Sequence, residues 1–146
     1  MFVGRYTHAI DAKGRINVPR KFLDHFRDPG AVRMFFATQG LDGCVFLFPR
    51  EQWESVVAQV RNSSLGSEEA RAFSRRFFGS TREVDVDAAG RILLPKELRD
   101  FAGIGDEALF VGVDTRIELW APDRAERQDG QHGPNYEEHA KGIFRA

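Results

Sequence analysis

The sequence has few of the features that mark secreted, membrane-bound or disulfide-stabilised proteins. Its 146 residues contain one cysteine, Cys44, which lies in an apolar stretch with no histidine nearby, so we predict a buried core thiol in a reducing compartment. No apolar run is long enough to cross a bilayer, and the first residues already have the pattern of a strand where a signal segment would lie. These absences predict a cytosolic protein.

Patterns typical of enzymes are also missing. The sequence has no glycine-rich loop for phosphate and no nucleophile beside a base. No metal site is indicated, because cysteine and acidic partners at ligand spacing are missing around the four histidines, which are His8, His25, His132 and His139. We therefore expect a protein that is not an enzyme and needs no cofactor.

The charge is small overall but unevenly distributed. The formal net charge is −1, which argues against a protein that simply coats polyanions. Residues 1–33 nevertheless carry seven basic residues against three acidic ones, whereas residues 106–146 carry nine acidic residues against five basic ones. Of the 21 basic residues 17 are arginine, the side chain suited to bidentate contacts with phosphate or guanine.

What the sequence does contain is an internal repeat. Residues 8–22 recur, shifted by 76 positions, as residues 84–98. Each copy is one supersecondary unit, in which a strand leads into Asp-x-x-Gly-Arg, a second strand, a proline and a basic or apolar stretch. The repeated turn residues are Asp11, Gly14 and Arg15 in the first copy and Asp87, Gly90 and Arg91 in the second.

These residue types predict two tight corners, which we call the first corner (residues 11–15) and the second corner (residues 87–91). The aspartate can accept backbone N–H bonds, and the glycine can adopt the left-handed conformation that joins the two strands of a hairpin. The spacing holds Arg15 and Arg91 at an exposed edge. Each arginine either ties down its own aspartate or recognises a ligand, and two copies make the second role the better supported one.

The remaining pattern predicts a mainly β protein of the α+β class, with two β-β-α-β-β halves joined by helices. The first half with its linker helices covers residues 1–78, the second half covers residues 79–122, and residues 123–146 form a polar tail that we expect to be mobile and poorly helical. In the linker, Trp53 begins an amphipathic apolar face, and Ser67 is placed to cap a second helix.

Several motifs together resemble the MraZ family, which has the SpoVT/AbrB-like DNA-binding fold. They are Met1-Phe2-x-Gly4, His8-x-Ile10-Asp11-x-Lys13-Gly14-Arg15-Ile16-x-Val18-Pro19, Asp87-x-x-Gly90-Arg91, Gly112 and Glu118-Leu119-Trp120. The resemblance covers residues 1 to about 122. It implies an internally duplicated double-split β-barrel, a closed ring-shaped homo-oligomer and a regulator of the bacterial division and cell-wall gene cluster. It also implies that the two Asp-x-x-x-Arg motifs bind DNA.

The residues themselves support double-stranded DNA as the partner. A two-stranded ribbon fits the major groove, where Arg15 can reach guanine O6 and N7. We expect Lys13, Arg5 and Arg20 to meet phosphates nearby. Arg91 is the weaker reader, because the sequence around it is more acidic. So few basic groups predict weak binding by one subunit, and hence several subunits that act on one stretch of DNA. With the ring that the resemblance implies, we expect the sites to be promoter-proximal direct repeats, bound at the nucleoid.

Two other functions fit parts of the same pattern. A structural ring or adaptor would use the same assembly surfaces without specific DNA. An acid protease also takes one aspartate from each of two lobes, here Asp11 and Asp87, and lets them share a proton. Against the protease, the glycine stands three residues after each aspartate and an arginine follows at once, and such a cation keeps a carboxylate ionised.

Overall fold

A computed structural model describes residues 1–28, 30–63 and 65–144. The elements of the first half are β1 (Phe2–Ala9), β2 (Arg15–Asn17), α1 (Arg20–Leu23) with a 3-10 turn (Asp24–Phe26), β3 (Met34–Gln39) and β4 (Val45–Pro49). The linker helices are α2 (Arg50–Ser63) and α3 (Glu68–Ser80). The second half contains β5 (Arg82–Asp85), β6 (Arg91–Leu93), α4 (Lys96–Ala102), β7 (Glu107–Asp114) and β8 (Arg116–Trp120). The chain continues with α5 (Pro122–His132), a second 3-10 turn (Gly133–Asn135) and α6 (Tyr136–Ala140). None of the described helices is both long enough and apolar enough to span a bilayer.

The duplicated β-β-α-β-β order and the α+β class are confirmed. Local sequence signals explain several boundaries. The helix α4 ends at Gly103, which has the left-handed φ of 68° typical of a helix C-terminus. The helix α3 begins after Ser67, whose hydroxyl accepts a hydrogen bond from the backbone N–H of Ala70 at 3.0 Å.

Strand pairing differs from the prediction at the two corners, because the strands on either side of each corner do not form the expected hairpin. The strand β1 pairs antiparallel with β7, and β2 pairs with β6. A single bridge between Ile10 and Ile16 is what remains of the pairing across the first corner. The hairpin prediction was wrong because β2 offers three residues, whereas β7 offers a partner for all eight residues of β1.

The two halves are therefore interleaved. Six strands form one antiparallel sheet in the order β1-β7-β8-β4-β3-β5, and β2 with β6 forms a separate two-stranded ribbon. One apolar core lies beneath both halves and includes Phe22, Phe35 and Phe110, all almost inaccessible to solvent. Burial of apolar side chains is the main stabilising contribution to a domain of this length. Because Ile16 of β2 and Ile92 of β6 belong to this core, separating either strand from the fold would expose core side chains to water.

A second apolar cluster joins the linker helices to the sheet. The indole of Trp53 stacks on Phe36, with ring centroids 5.0 Å apart, and on Phe77 at 5.5 Å. This arrangement follows from the amphipathic face that the sequence predicts. Cys44 is fully buried beside Trp120, as predicted, and burial raises the pKa of its thiol above the ordinary value.

The prediction that a proper helix is missing after Trp120 was wrong. The helix α5 starts with Pro122 at its first turn, a favourable position for proline. Its side chains then reach back to distant residues: Arg124 donates to the carbonyl oxygens of Gly43 at 2.9 Å and of Phe101 at 3.2 Å. These contacts hold a polar helix against the sheet, although its composition offers little apolar surface.

Candidate nucleic-acid interface

The first corner is held by the carboxylate of Asp11. Its Oδ1 accepts hydrogen bonds from the backbone N–H groups of Lys13 and Arg15, both at 2.9 Å, and Gly14 has a left-handed φ of 92°. The hydrogen bond from the Arg15 backbone contributes most to lowering the pKa of Asp11, which falls to about 2. The carboxylate therefore stays ionised at neutral pH and fixes the corner.

The second corner repeats this geometry. The Oδ1 of Asp87 accepts from the backbone N–H groups of Ala89 and Arg91, both at 2.9 Å, and Gly90 has a φ of 83°. Hydrogen bonding, first from the backbone of Arg91, lowers the pKa of Asp87 as well. The two corners thus have the same backbone conformation and differ in the side chains around them.

The guanidinium of each corner arginine is held by one edge only. The Nε of Arg15 donates to the Oδ2 of Asp11 at 2.7 Å, and the Nε of Arg91 donates to the Oδ2 of Asp87 at 3.0 Å. Neither pair of Nη groups has a hydrogen-bond partner in the part of the chain that the structure describes. Because a bidentate contact to guanine can use the two Nη groups, a tie to the aspartate leaves recognition possible.

Strand register brings the two arginines onto one face. In the ribbon formed by β2 and β6, Arg15 is opposite Leu93, Ile16 is opposite Ile92 and Asn17 is opposite Arg91. The two isoleucines are buried at 1% exposure, so the alternating residues on either side of them share the outer face. Arg15 and Arg91 are diagonal neighbours there, a relation that places the Cα atoms of two residues roughly 7–8 Å apart.

Sequence reasoning missed Asn17 and Leu93, which lie between the arginines on that outer face. Asn17 is exposed, and Leu93 is 57% exposed although it is a large apolar residue. An amide can pair with adenine, and an aliphatic group can contact a thymine methyl. Their alternation with Ile16 and Ile92 is visible in the sequence, but their place in one ribbon depends on pairing between the halves.

The predicted phosphate contacts do not all lie together. Lys13 lies at the exposed apex of the first corner, next to Arg15. Arg20 is exposed at the start of α1, two residues after Val18, whose N–H donates to the carbonyl of Gly90 at 2.9 Å. The structure therefore places Arg20 beside the second corner rather than the first.

Arg5 is separated from both corners by its place in the fold. It lies on β1, opposite Val111 of β7. Its two Nη groups donate to the two carboxylate oxygens of Asp129 on α5, at 2.6 and 3.0 Å. This ion pair raises the pKa of Arg5 and lowers that of Asp129. In this conformation Arg5 fastens α5 to the sheet.

The arrangement of Asp11 and Asp87 does not match an acid-protease dyad. Each carboxylate is bonded to its own arginine and to two backbone N–H groups. Over residues 1–28, 30–63 and 65–144 no hydrogen bond joins one carboxylate to the other. A dyad needs a shared proton and one raised pKa, whereas both of these groups have lowered values.

Comparison with known proteins points to one family. The family model described as "MraZ protein, putative antitoxin-like" matches the chain twice, over residues 1–76 and 77–142. The chain is 42% identical over 141 residues to a protein named Transcriptional regulator MraZ from Symbiobacterium thermophilum, covering 97% of this chain and 99% of the relative. It is 40% identical over 143 residues to the protein of the same name from Pelotomaculum thermopropionicum, covering 98% and 95%. The chain therefore belongs to the MraZ family.

Proposed function

We propose that this protein is a transcriptional regulator that binds specific DNA through the outer face of the β2–β6 ribbon. The observation that supports this most strongly is the placement of Arg15 and Arg91 on that face, each fixed by its Nε and with both Nη groups available. A two-stranded ribbon is narrow enough to enter the major groove. The regulator names of the relatives agree with this function.

In this mechanism the corners orient the arginines before DNA arrives. The ionised Asp11 holds the Nε edge of Arg15 and the backbone of the corner at once. The guanidinium then loses little conformational freedom when its Nη groups meet guanine O6 and N7. Lys13 at the apex meets a phosphate, which supplies affinity without reading sequence. A titration of specific against shuffled DNA with Arg15→Ala tests this mechanism.

Several subunits must act together for useful affinity. One subunit presents few basic groups on its ribbon face, so it should release few counterions and bind DNA weakly. Linking identical sites raises the effective concentration of each one. Multivalent binding of this kind needs an oligomer. From membership of the MraZ family we further propose that the oligomer is a closed ring of identical subunits in the cytoplasm. It would bind promoter-proximal direct repeats of the bacterial division and cell-wall gene cluster, at the nucleoid.

An apolar cleft supports assembly with a second copy of this chain. The cleft, of about 660 Å³, lies between α2, α3 and the sheet, and it is lined by Phe46, Val56 and Phe73, among others. Phe73 is 43% exposed and stacks on Phe77 with ring centroids 5.2 Å apart. An aromatic side chain left half exposed beside an apolar cleft is typical of a protein contact surface.

Replacing Phe73 by aspartate is expected to reduce the size of the oligomer, because a charge would then have to be buried against the neighbouring subunit. Size-exclusion chromatography with light scattering would show a fall in mass. Leu65→Asp is the matched control, since Leu65 is 85% exposed and does not line the cleft. An unchanged mass for a folded Phe73→Asp protein would rule out this surface as the subunit contact.

Removing Arg91 is expected to weaken DNA binding less than removing Arg15. The apex of the second corner carries neutral Ala89 where the first carries Lys13, and Asp85 adds negative charge close by, so phosphate should prefer the first corner. Parallel anisotropy titrations of Arg91→Ala and Arg15→Ala measure the ranking. An equal or larger loss for Arg91→Ala, at unchanged oligomer mass, would reverse it.

A further inference from the structure

A third arginine from the other half of the chain lies against the first corner. The Nε of Arg99, on α4, donates to the carbonyl oxygen of Leu94 at 3.0 Å, and the N–H of Leu94 donates to the carbonyl of Gly14 at 2.8 Å. A Cβ placed on Gly14 would lie 3.0 Å from both the Nε and the Cζ of Arg99. The guanidinium therefore touches the backbone of the corner that carries Lys13 and Arg15.

The guanidinium of Arg99 has no acidic partner among the described residues. Neighbouring acids on α4 are already engaged: Asp100 pairs with Lys96 at 2.7 Å, and Glu97 pairs with Arg82 at 2.8 Å. Arg99 is partly buried, and a cation that gives up water without gaining a carboxylate is costly to the fold. An anion from outside the chain would offset that cost.

Comparison of the two corners shows that this charge is not needed to build a corner. At the 76-residue shift, the counterpart of Arg99 is Leu23. A Cβ placed on Gly90 would lie 2.9 Å from the Cδ1 of Leu23, so a leucine occupies the equivalent place beneath the second corner. The second corner has the same hydrogen bonds to its aspartate as the first corner, although a leucine stands where the first corner has an arginine. A positive charge at position 99 is thus an addition peculiar to the first corner.

We propose that Arg99 is a phosphate contact of the DNA site at the first corner. This inference rests on the proposed function, since it requires that the first corner meets DNA. While Arg15 reads a base, Lys13 at the exposed apex of the corner and Arg99 against its backbone bind the flanking phosphates. The second half of the chain thereby contributes a DNA contact to the corner of the first half.

The test measures how affinity depends on salt, because a purely structural role would not change that dependence. Anisotropy titrations of DNA that carries the proposed promoter-proximal direct repeats are made at several salt concentrations, with the unmodified protein and with Arg99→Leu. This substitution introduces the residue type found at the equivalent position of the second corner. The slope of log affinity against log salt is negative, and we expect its magnitude to decrease by about 0.9 for each engaged corner. Specific and shuffled DNA should both be bound more weakly, with their ratio retained.

Three further variants make the result decisive. Arg71→Leu removes the same charge from an exposed position of α3 and should leave the slope unchanged. Arg99→Lys should keep the salt dependence, whereas Arg99→Gln should reduce the magnitude of the slope. This pair of variants decides the question if Arg99→Leu lowers the melting temperature. Equal slopes for Arg99→Lys and Arg99→Gln would overturn the proposal. If Arg99→Gln has the full slope while Arg15→Ala abolishes specific binding, this inference fails and the proposed function stands.

Discussion

Replacing Arg15 by alanine is expected to abolish detectable specific DNA binding. The Nη groups of Arg15 are the part of the first corner that can read a base edge, and one good bidentate contact is worth roughly 1–3 kcal/mol of discrimination. Each subunit of an oligomer would lose its own contact, so the losses multiply across the assembly. Anisotropy titrations with a specific duplex and with a shuffled duplex of the same composition measure both the affinity and the ratio.

Lys13→Ala is the matched control for this experiment. Lys13 neighbours Arg15 at the same corner and carries the same charge, but a phosphate contact carries no sequence information. We therefore expect Lys13→Ala to weaken specific and shuffled DNA alike. A folded Arg15→Ala protein that kept nearly normal discrimination would remove Arg15 from the site, and failure of the unmodified protein to discriminate would favour the structural ring or adaptor.

The spacing of binding sites should matter as much as their sequence. If identical first corners are arranged around a ring, those that face one duplex can meet the same groove face only at direct repeats about one helical turn, roughly 10 bp, apart. Inserting about half a turn, roughly 5 bp, rotates one repeat away and should remove the multivalent gain. Inserting about a full turn should restore part of it, within the span that the ring can reach.

Gel-shift titrations of three operator variants test this prediction. The variants carry no insertion, a half-turn insertion and a full-turn insertion, and all are measured at one salt concentration, because phosphate contacts make affinities at different salt concentrations incomparable. The Phe73→Asp protein is the control, because its DNA affinity should already lack much of the increase that neighbouring subunits provide. If the half-turn insertion leaves the affinity unchanged, the subunits bind independently.

Local sequence determines much of this fold. Asp11 and Gly14 specify the first corner through hydrogen bonds and a backbone conformation that involve adjacent residues, so the corner is visible without any tertiary information. The same holds for the Ser67 cap and for the helix end at Gly103.

Features that depend on distant contacts were harder to predict. The partner of β2 is β6, far along the chain, and nothing in the three residues of β2 distinguishes that partner from β1. The helix α5 is polar and gains its place through Arg124 and through Asp129 bound to Arg5. Its composition therefore resembles that of a free tail, although its contacts are those of a docked helix.

The candidate site divides in the same way. The positions of Arg15 and Arg91 follow from their own corners, and their common face follows only from the ribbon register. Arg20 and Arg5 are near Arg15 in sequence, but their positions on α1 and β1 place them away from the first corner. Arg99 is distant in sequence and is brought to the first corner by the pairing of the halves.

A hydroxyl-radical footprint of the unmodified protein on DNA upstream of its own gene is the sharpest test of specific recognition by the β2–β6 ribbon. Binding by several ribbons to one duplex should protect segments that recur about every 10 bp, on one face of the helix, over short direct repeats. Protection should disappear with Arg15→Ala at the same protein and salt concentrations. Uniform protection along the whole fragment, or cleavage identical to that of free DNA, would contradict specific recognition by this ribbon.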